Sequence, residues 1–122
     1  MRILLIEDNT VVRDCVQELL AYMGHDCHAS AGGEEVYDLI SCGFDAVLTD
    51  LDMPDVTGFE ILAYSAAQQY ELPVIVMSGR PDPALPPDTP FLRKPFTVQQ
   101  LENLLRLTLS YSRSTDDHDP LH

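Results

Sequence analysis

The chain alternates between two hydrophobic rhythms. Residues 2–6 form a short apolar run rich in Ile and Leu that stops at Glu7, Asp8, Asn9 and Thr10, which predicts a buried strand ending in a loop. From Val11 the spacing turns helical. Val12, Val16, Leu19, Leu20 and Met23 share one side, Asn9 or Thr10 stands at the cap, and Gly24 supplies the stop. A weaker strand over residues 26–30 leads to Ala31-Gly32-Gly33, and a second helix to about Cys42 presents Val36, Leu39 and Ile40 before Gly43.

Residues 44–49 give a third strand, apolar apart from Asp45 and Thr49, which runs into the turn Asp50-Leu51-Asp52-Met53-Pro54-Asp55. A third helix over residues 58–70 turns Ile61, Leu62 and Tyr64 inward. The unbroken apolar run 73–77 predicts a fourth strand buried on both faces. Residues 91–93 make a short fifth strand. Thr97-Val98-Gln99-Gln100 has the form of a capping box and opens a last helix with Leu101, Leu104, Leu105 and Thr108 on one face. Residues 112–122 read as a disordered acidic tail, which leaves 1–111 as the folded domain.

Strands alternating with helices predict an α/β fold: a parallel sheet covered on both sides, because parallel neighbours need crossover connections. In such sheets ligands bind beyond the carboxyl ends of the strands, where strand order reverses. Those ends carry Glu7 and Asp8, then Asp50 and Asp52, then Ser78, then Lys94.

Composition narrows the classes. At 122 residues, 45% hydrophobic and 22% charged, the chain fits one domain with enough apolar surface to fold. A net charge of -13 would repel a phosphate backbone, which argues against direct nucleic-acid binding. The longest apolar runs, 3–6 and 74–77, are too short for a membrane span, and no leader follows Met1. A soluble cytoplasmic protein is expected. Cys15, Cys27 and Cys42 have neither disulfide-framework nor zinc-site spacing and read as small buried apolar residues.

Several carboxylates meeting on one sheet edge would repel one another unless a cation sat among them. Mg2+, or Mn2+ in its place, takes oxygen ligands including one or two carboxylates and would gather Asp8 and Asp50 while leaving positions open. A carboxylate beside such an ion can attack phosphorus to give an aspartyl phosphate, with a hydroxyl and an ammonium sharing the oxygen charge. Ser78 and Lys94 are of the right types. Lys94 is the chain's only lysine.

The runs ILLIEDN at the first strand, VLTDLDMPDVTG around the third, VIVMSG at the fourth and FLRKPF at the fifth together resemble a response-regulator receiver domain of two-component signalling, over residues 2–110. The resemblance implies a flavodoxin-like doubly wound sheet of order 2-1-3-4-5. It implies that Asp50 is the phosphoacceptor, Asp8 a direct Mg2+ ligand, Glu7 an outer or water-mediated one, and the backbone carbonyl of Asp52 a further ligand. Ser78 would be the hydroxyl that swings toward the phosphoryl group, Lys94 the ion pair of that group, and Phe91 the aromatic whose rotamer reports the state. The Lys94-Pro95 bond would be cis, and Asp52 and Arg80 would border the path of the attacking water and set the phosphoryl lifetime. The donor would be a phosphohistidine on a sensor histidine kinase or phosphotransfer protein docking near the first helix. Apart from Mg2+-dependent self-phosphorylation and slow self-dephosphorylation, no enzymatic turnover is implied.

One stretch departs from the family. Pro81, Pro83, Pro86, Pro87 and Pro90 fall within ten residues, and each removes a backbone donor and biases its predecessor away from helical angles. The family's fourth helix should therefore be shortened or replaced by a proline-rich loop across residues 79–90. That puts DNA-binding dimerisation through this face in doubt and points to a monomer or weak dimer acting by protein contact. A stand-alone regulator or phosphate shuttle is favoured, Met1 directly before the first strand weighing slightly that way. A receiver excised from a hybrid histidine kinase is the alternative. From another class, Asp50-Leu51-Asp52 satisfies the DxD signature of haloacid-dehalogenase-type phosphatases. Against that stand the upstream position of Glu7 and Asp8 and a chain too short for a cap.

Overall fold

The computed structural model describes residues 1–68 and 72–117, with the side chains of 111–117 excepted. Five strands, β1 (Arg2–Ile6), β2 (Asp26–Ser30), β3 (Ala46–Asp50), β4 (Val74–Ser78) and β5 (Phe91–Arg93), alternate with α1 (Thr10–Tyr22), α2 (Glu35–Ile40), α3 (Gly58–Ala66) and α4 (Val98–Asp117). The strands form one sheet of order β2-β1-β3-β4-β5, and every neighbouring pair is parallel. This is the expected doubly wound, flavodoxin-like arrangement.

Period-two alternation divides the core between the two faces. Leu4, Ile6, Val47, Val74 and Val76 pack with Val36, Ile40 and Ile61 of α2 and α3. Ile3, Leu5, Leu48, Ile75 and Met77 pack with Val16 and Leu20 of α1 and Leu101 and Leu105 of α4. Each fully buried aliphatic side chain is worth about 1.5–3 kcal/mol. β3 and β4 are buried throughout, as central strands covered on both sides must be. Among the described residues, no helix is long and apolar enough to cross a membrane.

The caps explain where helices begin. Asn9 Oδ1 accepts from Val12 N at 3.1 Å. Thr97 and Gln100 cap each other reciprocally, Gln100 N donating to Thr97 Oγ1 at 3.1 Å and Thr97 N to Gln100 Oε1 at 2.8 Å.

Residues 79–90 contain no helix and only short turns. Leu85 from this segment packs against the α2–α3 face of the core, where an apolar helix face would otherwise lie. Several local expectations are corrected. Strand β3 begins at Ala46 rather than at residue 44 and β4 at Val74 rather than at residue 73, and each ends one residue later than expected, because Asp50 registers with Met77 and Ser78 with Arg93. Helix α2 stops at Ile40, short of Cys42. Helix α4 runs to Asp117, with no proline or glycine in that span to stop it, so residues 112–117 are helical where an irregular tail was expected. Helix α3 stops at Ala66, with Ala67 as its cap, short of the expected residue 70; residues 69–70 of that expected helix, and 118–122 of the tail, lie outside the described residues. Cys15 and Cys42 are exposed and Cys27 is half-buried, whereas burial was expected. The inward stripe of α1 is taken by Val16 and Leu20, which leaves Cys15 off that face.

Candidate functional site

The carboxyl ends of β1, β3, β4 and β5 meet at one edge of the sheet, at the point where the chain leaves β1 for β2 on one side and β3 on the other. Glu7 is held there by two backbone bonds: its N–H donates to Ser30 O at 3.0 Å, and its carbonyl accepts from Arg13 Nη1 at 2.9 Å. The Arg13 contact was not anticipated; it sits one helical turn past the cap. The Glu7 side chain is fully buried, Asp50 is 8% exposed, and Asp8 is open to solvent. One carboxylate oxygen from each of the three lies within 4.8 Å of the others.

Lys94 joins this group from the end of β5, where its N–H donates to Ser78 O at 2.8 Å. Its Nζ pairs with Glu7 and lies 3.4 Å from Asp50 Oδ1. Burial pushes the Glu7 carboxyl above its ordinary range, with the Asp50 charge adding to the effect, against the opposing pull of Lys94. Three carboxylates facing one ammonium leave an uncompensated negative site. Its oxygen donors, one of them open to solvent, suit a hard divalent cation.

The turn after β3 is pinned by Leu51 N donating to Met77 O at 2.8 Å and Gly58 N donating to Leu51 O at 2.9 Å. Gly58 has a steric role that the local pattern does not reveal. A Cβ there would lie 2.8 Å from Leu51 Cα and 2.9 Å from the carbonyl oxygen of Asp50, so only glycine lets α3 start this close to the acidic turn.

Asp52 does not turn its side chain into the carboxylate group. It pairs with Arg80, and its Oδ2 accepts from Ser78 Oγ at 3.4 Å. Ser78 is buried, and Arg80 N donates to its oxygen at 3.1 Å. Phe91, in register with Val76, is half-buried against the α2–α3 face of the core. The Lys94-Pro95 peptide is cis. Glu7, Asp8, Asp50 and Lys94 thus form one group, Ser78 and Asp52 an adjoining one, and Phe91 lies on a face of the sheet rather than in either. Neither Glu7 nor Asp8 supplies the side-chain cap of α1, which is Asn9; Glu7 instead accepts from Asn9 N through Oε2 at 3.3 Å.

Residues 3–106 match the response regulator receiver domain family. Over 80 residues the chain is 31% identical to the cell cycle response regulator CtrA of Brucella ovis, a match covering 65% of this chain and 34% of that protein. The chain therefore spans about a third of the length of this curated relative. Among solved structures, it superposes on the receiver domain of the hybrid histidine kinase CckA with a TM-score of 0.77 and 27% identity, covering 89% of this chain and 99% of that one. The receiver domain of sensor histidine kinase PA1611 from Pseudomonas aeruginosa PAO1, which has a magnesium ion coordinated in its active-site cleft, gives a TM-score of 0.79 at 25% identity, over 89% of this chain and 97% of that one. Sheet order, acidic strand ends and a match over most of the sequence agree: the chain belongs to the response regulator receiver domain family.

Proposed function

We propose that this receiver takes a phosphoryl group onto Asp50 from a phosphohistidine of a sensor histidine kinase or phosphotransfer protein. The observation that carries the reading is the convergence of Glu7, Asp8 and Asp50 oxygens within 4.8 Å of one another, with Lys94 3.4 Å from Asp50. An Asp50 oxygen forms the new P–O bond as the P–N bond breaks and the imidazole departs with the electron pair. Asp8, Asp50, Glu7 and the backbone carbonyl of Asp52 would hold Mg2+, with Mn2+ as a substitute. When bound, the ion supplies positive charge against the phosphoryl oxygens. Lys94 neutralises the acceptor edge from the β5 side, and Ser78 donates its hydroxyl to the phosphoryl group. Phe91 changes rotamer with the state of Ser78.

Beyond self-phosphorylation and slow self-dephosphorylation the protein is not an enzyme. The phosphatase alternative needs Asp52 free as an acid, and its carboxylate is instead engaged by Arg80 and Ser78. Output is by protein contact from a cytoplasmic monomer or weak dimer, without direct nucleic-acid binding. The proline-rich segment in place of a helix supports this, since a helical dimer face is missing there. A stand-alone regulator or phosphate shuttle is the favoured setting. A receiver from a hybrid kinase is the second, favoured by the likeness to the kinase-borne receivers of CckA and PA1611.

Incubation with a panel of the host's phosphorylated histidine kinases and phosphotransfer proteins tests the reading. Rapid transfer of label from one of them is expected. Turnover of a generic phosphate ester at many equivalents per chain, with no transfer from any histidine donor, would overturn it.

A further inference from the structure

Ser78, Asp52 and Arg80 close a hydrogen-bonded ring at the carboxyl ends of β3 and β4. The Ser78 hydroxyl donates to Asp52 Oδ2 at 3.4 Å, the other Asp52 oxygen pairs with the Arg80 guanidinium, and the Arg80 backbone N–H donates back to Ser78 Oγ at 3.1 Å. Arg80 thus grips the ring at two points, with its main chain on Ser78 and its side chain on Asp52. Pro81 follows it directly and disfavours a helical conformation at Arg80. The replacement of a helix by the proline-rich segment and the ring therefore arise from the same stretch of sequence.

A hydroxyl has one proton to donate. While Ser78 gives it to Asp52, it cannot give it to a group on Asp50. We propose that the Asp52–Arg80 pair is a latch that holds Ser78 in the unphosphorylated state, so that Asp52 acts as a positioning residue opposing the switch. Arg80 is what makes this stable, because it fixes the orientation of a carboxylate that would otherwise rotate freely in solvent. The long Ser78–Asp52 separation keeps the latch weak enough to open when a phosphoryl oxygen offers a better acceptor.

A binding-competent state that is populated only part of the time lowers apparent affinity by that fraction. A latch closed about 70–90% of the time would weaken binding of a phosphoryl-like ligand about three- to tenfold. The proposal rests on the reading of Asp50 as acceptor, and the experiment separates the two. Beryllofluoride, a phosphoryl mimic for carboxylates, is titrated by calorimetry in the presence of Mg2+ into wild type, Asp52→Ala, Ser78→Ala and the double variant.

Asp52→Ala should tighten binding about three- to tenfold when Ser78 is present, and by less than about twofold in the Ser78→Ala background. Removal of a negative charge alone would tighten both backgrounds equally, and equal gains overturn the latch. So does an Asp52→Ala variant that binds no tighter than wild type, with acceptor function intact. Wild type that takes up no beryllofluoride overturns the acceptor reading and the latch with it. Because the Asp52 side chain is about half exposed, its truncation is compatible with folding.

Discussion

Lys94 Nζ lies 3.4 Å from Asp50 Oδ1 while pairing with the buried carboxylate of Glu7. One ammonium, delivered by the last strand, holds together two acids delivered by the first and third. Without it, two largely buried carboxylates would face each other with no cation.

Lys94→Ala should therefore destabilise the metal-free protein by on the order of 2 kcal/mol, below the value for breaking a fully buried pair because Lys94 is partly exposed. Added Mg2+ should recover most of the loss in thermal midpoint. Labelling of Asp50 should persist in this variant, while the chemical-shift response around Ser78 on phosphorylation weakens. Unchanged stability and an unchanged response would remove Lys94 from the switch.

Much of this site was legible in the sequence because the apolar runs end at it. Glu7, Asp8, Asp50, Ser78 and Lys94 all follow or close a strand, and parallel topology sends those ends to one edge. The missing helix was legible because proline acts locally. What required the fold were partnerships between distant segments. The register that draws Asp50 and Ser78 into their strands comes from neighbouring strands. The grip of Arg13 on Glu7, the close approach of Gly58 to Asp50, and the pairing of Arg80 with Asp52 leave no periodic trace.

Glu7 should make stability depend on pH in the direction opposite to an ordinary paired carboxylate. Its folded pKa is raised above 4.5 by burial, so the folded state binds the proton more tightly than the unfolded state. The resulting stabilisation is fully present below pH 4.5 and is lost as pH rises through the raised value. In metal-free urea titrations, the advantage of Glu7→Gln over wild type should grow as pH increases from 4.5 toward neutrality, and Mg2+ should reduce it. A pH-independent difference would contradict the burial argument.

Gly58→Ala should cost about 1–3 kcal/mol, toward the upper end because both close contacts are backbone atoms that cannot rotate away. It should also weaken divalent-ion binding by shifting the turn after Asp50. Wild-type stability in this variant would show that α3 can retreat without strain.

Among the described residues, the amides of Asp82, Ala84 and Asp88 have no hydrogen-bond acceptor, and the surrounding segment is turn-rich and exposed. Hydrogen exchange there should be near the rate of an unstructured peptide. Strong protection would mean that a helix forms after all.

Acceptance of a phosphoryl group by Asp50 in a divalent-ion site is read out by intact-mass spectrometry after incubation with acetyl phosphate. Wild type should gain a single phosphoryl group only when Mg2+ is supplied, and Asp50→Asn should gain none. Continued labelling of Asp50→Asn would put the acceptor elsewhere, and labelling of wild type that ignores the metal would remove the divalent ion from the reaction.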